Sequence, residues 1–155
     1  MVCYGCCKKG DVSIKGTFEK SFYSNGDTVR INAEIENKSN SNVYVSGKCF
    51  FKVSLTDGFR VDNNDMIVGQ SANAVIVLAG SPIETIPLIF VLNCGDNMPT
   101  CVGGTLITAE YNLVISVKYD TIACDCCMTN PMLKAPIMVC PKVQEYLPLP
   151  FEVPN

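Results

Sequence analysis

The chain has 155 residues, 48% of them hydrophobic, a formal net charge of −3, and neither histidine nor tryptophan. That length suits one globular domain with a sizeable core, and the composition excludes a disordered chain. The basic residues are scattered, which argues against a nucleic-acid partner, and no apolar run approaches the ~20 residues of a membrane span.

The opening stretch, Met1-Val-Cys-Tyr-Gly-Cys-Cys-Lys-Lys9, lacks the apolar segment of a secretory signal. A cytoplasmic location with reduced cysteines is therefore expected, and residues 1–10 read as a Cys-rich linker or edge segment. Val12, Ile14, Gly16 and Phe18 alternate as a first strand, and Asn25-Gly-Asp27 signals a turn. Thr28–Asn37 alternates without error: Val29, Ile31, Ala33 and Ile35 on one face, Arg30, Asn32, Glu34 and Glu36 on the other. The polar run Lys38-Ser-Asn-Ser-Asn42 reads as a plain connection. Next, Val43, Val45, Cys49, Phe51, Val53 and Leu55 share a core face, with a bulge expected at Gly47 and a turn at Thr56-Asp57-Gly58. Shorter strands follow at 59–68, 73–79 and 84–92, then a loop with Gly95-Asp-Asn-Met-Pro99 and Gly103-Gly104. The next strand is long: Ile107, Ala109, Tyr111, Leu113, Ile115 and Val117 face a core, while Thr108, Glu110, Asn112 and Lys118 face water. At ~3.3 Å per residue it would span about 40 Å. A last strand lies near Leu133–Cys140, where Pro136 favours an edge, and residues 146–155 form a Pro-rich apolar tail. No segment keeps helical spacing, so the chain reads as all-β: an antiparallel immunoglobulin-like β-sandwich of seven to nine strands over residues 11–145.

Chemistry is sparse. Without histidine, Ser-His-Asp and Cys-His nucleophilic sites drop out, as does the commonest general base. Glu34, Glu36, Asp57, Asp62 and Asp65 fall on strand surfaces and turns with no pairing of the kind acid–base catalysis needs. No catalytic, cofactor-binding or metal-binding residue is assigned. Cys3, Cys6 and Cys7 with Cys124, Cys126 and Cys127 leave two alternatives to inert thiols: a tetrahedral zinc site should the segments meet, or S-palmitoylation of the first cluster beside Lys8-Lys9. Cys49, Cys94, Cys101 and Cys140 read as small core or loop residues. The tail Tyr146-Leu-Pro-Leu-Pro-Phe-Glu-Val-Pro154 reads as packing on its own sandwich, with an extended ligand for another domain as the alternative.

One sequence of pieces is shared with a known family. Cys3-Tyr-Gly-Cys-Cys7, Gly10-Asp-Val-Ser-Ile14, Tyr23-Ser-Asn-Gly-Asp27, Ile31-Asn-Ala-Glu-Ile-Glu-Asn-Lys-Ser39, Val68-Gly69, Ile86-Pro87, Glu110-Tyr-Asn-Leu-Val114 and Pro136-Ile-Met-Val139 occur in this order. The pattern resembles the C-terminal domain of the arrestin superfamily, on its arrestin-domain-containing (alpha-arrestin) branch, over residues 3–140. The chain departs from it in having no Trp, a longer loop at 93–104 and no Pro-Pro-x-Tyr motif. Near Ser39, where the thioredoxin-interacting relative has its reactive cysteine, this chain has none, so thioredoxin capture by that route is not expected. The resemblance implies a non-enzymatic adaptor or scaffold without a cofactor. Its partners would be membrane cargo, receptors, or trafficking and ubiquitin machinery, met in the cytoplasm or at the periphery of membranes and endosomes. A zinc- or thiol-dependent small sandwich, or a structural domain that self-associates through strand edges, are the other readings.

Overall fold

A computed structural model describes residues 11–56, 61–95, 104, 106–120 and 130–140, with 61–64 as backbone alone. Alternating segments become strands in it: β1 (Val12–Phe18), β2 (Phe22–Ser24), β3 (Thr28–Asn37), β4 (Val43–Thr56), β5 (Val61–Gln70), β6 (Val75–Val77), β7 (Glu84–Val91), β8 (Ile107–Tyr119) and β9 (Met132–Cys140). A smaller sheet runs β1-β3-β7, and a larger one runs β2-β9-β8-β4-β5, with β6 beside β4 beyond the end of β5. The fold is the expected all-β sandwich, at the upper end of the expected strand number. One pairing departs from the antiparallel expectation: β2 lies parallel to β9, with Phe22 opposite Met138 and Ser24 opposite Cys140.

The core is the two inner faces pressed together. Val29, Ile31, Ala33, Ile35, Ile86, Leu88 and Phe90 come from the smaller sheet. Val43, Val45, Cys49, Phe51, Tyr111, Leu113, Ile115, Val117, Ile137 and Val139 come from the larger, with Tyr23 beside them. Fully burying each Val, Leu, Ile or Phe contributes about 1.5–3 kcal/mol, so this seam holds the sheets together. Phe51 and Tyr111 stack across β4 and β8 with ring centroids 4.7 Å apart.

Four expectations need correction. The bulge is not at Gly47: pairing slips between Cys49 (opposite Gly69) and Phe50 (opposite Ile67), which leaves Val68 as the extra residue on β5. Gly47 serves close approach instead, since a Cβ there would sit 3.2 Å from Leu88 Cβ of the facing sheet. Leu55 points to the core side but is 48% exposed, as is Ile107 at 51%, because β4 and β8 outrun the shorter smaller sheet. Asn112, expected in water, is buried on the outer face of β8, between Phe50 and Pro136 in register. Finally, Lys38–Asn42 is more than a plain connection, because Asn37 and Ser39 are buried and tie it to the β6–β7 loop.

Residues 1–10, the 57–58 part of the turn, residues 96–103, Cys101, the tail 146–155 and both clusters (Cys3, Cys6, Cys7; Cys124, Cys126, Cys127) lie outside the described residues. The zinc and lipidation readings lie there with them.

Candidate functional site

The β2–β3 turn is built from its side chains. Gly26 adopts a φ of 83°, the left-handed region that glycine enters without strain. Asp27 Oδ2 accepts the Ser24 N–H at 3.0 Å and the Lys20 ammonium at 3.1 Å. Asn25 Oδ1 accepts the Cys94 N–H at 2.9 Å, which ties the turn to the strand end beyond β7. Lys20 is thereby fixed, with its ammonium 5.0 Å from the centre of the Tyr23 ring. Tyr23 is buried, and among the described residues its hydroxyl makes no well-formed hydrogen bond. Burial pushes that phenol above its ordinary value, against the opposing pull of the Lys20 amide and ammonium. Burial raises the Cys94 thiol too, offset in part by a hydrogen bond with Tyr111.

Beside this turn, two sheet edges come together. Backbone groups alternate in direction along a strand, so one observed bond fixes the direction of every second residue. Val117 N–H donates to Pro131 C=O, which aims the odd-numbered residues of β9 at β8. The Met138 N–H donates to Ser21 C=O on the opposite side, so Met132, Lys134 and Pro136 aim away from β8. β2 covers β9 only from Met138 to Cys140, and the rest of that edge has no strand partner among the described residues. Pro136 thus sits at a local edge, as expected, and its missing N–H falls on the open side. The same alternation, set by Lys38 N–H to Asp11 C=O, leaves Val12, Ile14, Gly16 and Phe18 of β1 aimed away from β3. Between the two edges runs a groove of about 310 Å³ lined by Phe18, Lys20, Ser21, Ala135, Pro136 and Ile137.

A third edge is β7, which among the described residues pairs with β3 alone. Its outward side chains Ile89 and Val91 are apolar and exposed, and Pro87 interrupts the row of donors. At its far end the edge is closed, because Asn93 N–H donates to Val68 C=O at the β5 bulge.

Among the described residues the carboxylates do not converge. Glu34 pairs with Lys15 at 3.2 Å and Glu36 with Lys38 at 2.9 Å, both on the outer face of the smaller sheet. Asp65 is exposed on β5, while Asp57 and the Asp62 side chain lie outside the described residues. Among the described residues no three His, Cys, Asp or Glu side chains gather as metal ligands. Cys49 and Cys94 are buried and Cys140 is half-buried, none of the three in a disulfide. Lys20, Ser21 and Lys134 were not singled out from the sequence, and only Pro136 in an apolar strand signalled the open edge.

No family model matches the sequence, and no curated protein matches it significantly. Among solved structures the chain is similar to Spo0M, a sporulation control protein from Bacillus subtilis, with a TM-score of 0.60 and 13% identity. The likeness covers 84% of this chain and 49% of that one, so this chain spans about half the length of its structural relative. At that identity the likeness concerns the fold, which is an arrestin-like β-sandwich.

Proposed function

We propose that the chain is a non-enzymatic adaptor, whose sandwich holds other proteins through its open strand edges and serves membrane-protein trafficking or signalling in the cytoplasm. The alpha-arrestin resemblance of the Tyr23–Ser39 region motivates the trafficking role, and the arrestin-like fold is compatible with a protein-interaction adaptor. The observation that supports it most is the run of backbone at the β9 and β1 edges that has no strand partner among the described residues, together with exposed apolar side chains on the separate β7 edge. An extended segment of another protein can satisfy such groups by joining the sheet. Affinity capture with the full chain from cytosol at physiological salt is the test. Enrichment of receptors, membrane cargo or endocytic and ubiquitin-ligase proteins is expected, and repeated capture with none of these would count against the reading.

A further inference from the structure

We propose that the groove between the β1–β2 turn and β9 binds an extended peptide segment of a partner protein, which joins the larger sheet beside Met132–Pro136. The proposal rests on the adaptor reading and names its site and ligand class. β2 marks the track: it lies along β9 as far as Met138, and at Ser21 the chain turns away towards β1. Further along, Met132 and Lys134 offer N–H and C=O to the open side, while Pro136 offers C=O alone. Among the described residues Lys134 makes no ion pair, and its backbone on this side has no strand partner.

The shape selects a single chain. One wall is the Lys20–Ser21 turn, held by the Lys20–Asp27 ion pair, and the other is β9 itself. A second copy could reach this edge only by bringing a whole sheet past that turn, whereas one extended strand can lie along the edge with a side chain in the groove of about 310 Å³. Pockets from ~300 Å³ upward hold small ligands, so there is room for one apolar side chain between Phe18, Ala135 and Ile137 along with its backbone. Lys134 favours an acidic neighbour on the peptide. The residue facing the Pro136 C=O must carry an N–H, so proline is excluded there.

A displayed library of random linear heptapeptides, selected on the full chain, provides the probe. Selected peptides are expected to protect the Lys134 amide from hydrogen exchange, and to carry an apolar residue beside an acid. Lys134→Pro deletes one open-edge donor and leaves the β8 ladder intact, as Pro136 already does two residues on. It is expected to weaken binding by about tenfold or more, whereas Lys134→Ala, which keeps the N–H, stays within about threefold. Should Lys134→Pro fail to fold, Ser21→Trp fills the groove from an exposed position and carries the same expectation. The proposal is overturned when no heptapeptide binds, when protection maps to β7 or to the outer sheet faces, or when the blocking variant binds as tightly as the parent. A concentration-dependent dimer abolished by Lys134→Pro would also overturn it, in favour of self-pairing. Cellular capture that survives Lys134→Pro rejects the groove and leaves the adaptor role standing. Peptide binding at the groove without capture of trafficking proteins rejects the trafficking role and leaves the groove standing.

Discussion

Asn37 closes β3 with a side chain that has no access to water. Its Nδ2 donates towards the carbonyls of Ser41 (2.9 Å), Leu78 (2.9 Å) and Val77 (3.3 Å), and its Oδ1 accepts from the Ser39 hydroxyl at 2.6 Å. Removing it leaves buried acceptors unpaired, so Asn37→Ala is expected to lose about 2–4 kcal/mol in urea unfolding, far more than an exposed Asn. Tyr23 is the opposite case, because among the described residues its buried hydroxyl makes no well-formed hydrogen bond and feels only the opposing pull of the Lys20 amide and ammonium. Tyr23→Phe should therefore be neutral or stabilising, within about 1 kcal/mol of the parent in the same assay. The two differ again in alkali. Burial raises Cys94, Tyr23 and Tyr119 above ordinary values of 9.0, 10.0 and 10.0. The fold favours the neutral form of each, so their contribution is complete below the ordinary value and drains away as pH climbs through the raised one. Urea midpoints followed against pH should begin to fall near 9.0, and Tyr23→Phe should flatten the part of the fall above 10.0.

At the scale of elements, the two sheets approach closely at the β5 bulge and again at β1. A Cβ on Gly69 would lie 2.9 Å from the Val91 carbonyl oxygen, a backbone atom that cannot swing aside. On Gly16 it would lie 2.8 Å from Ile115 Cδ1 and from Leu133 Cδ2, the free ends of side chains. Gly69→Ala is thus expected to lose about 2–3 kcal/mol by thermal or urea melting and Gly16→Ala about 1 kcal/mol. Most strands were legible beforehand because they are long enough to show a period of two, as Val29 to Ile35 does without exception. β2 was not: its three residues lack the apolar run that marks the equally short β6, and its partner Met138 lies far along the chain. Gly47 misled for a related reason, since a glycine in a strand signals either a bulge or a close approach and only the facing Leu88 decides which. The polar knot was illegible because Asn37 and Ser39 look like any loop residues until the β6–β7 loop closes over them. The groove was hidden more deeply, since an edge belongs to the order of strands in the sheet and not to any one segment.

For the whole molecule, the unequal sheets leave one end of the larger inner face uncovered, with Leu55 and Ile107 half in water. Leu55→Ser should therefore change stability by less than about 1 kcal/mol, whereas Leu113→Ala in the covered region should lose about 2–5 kcal/mol, both read by urea denaturation. The parallel pairing of β2 with β9 bears on how the polypeptide is made. During synthesis the smaller sheet has all its strands once residue 91 has left the ribosome, but β2 must wait for residues 138–140 before it finds a neighbour. Until then the nascent protein holds Tyr23 and the open edge of β8 without the strand that pairs with both. Its emergence from the exit tunnel is the step at which chaperones have most to protect.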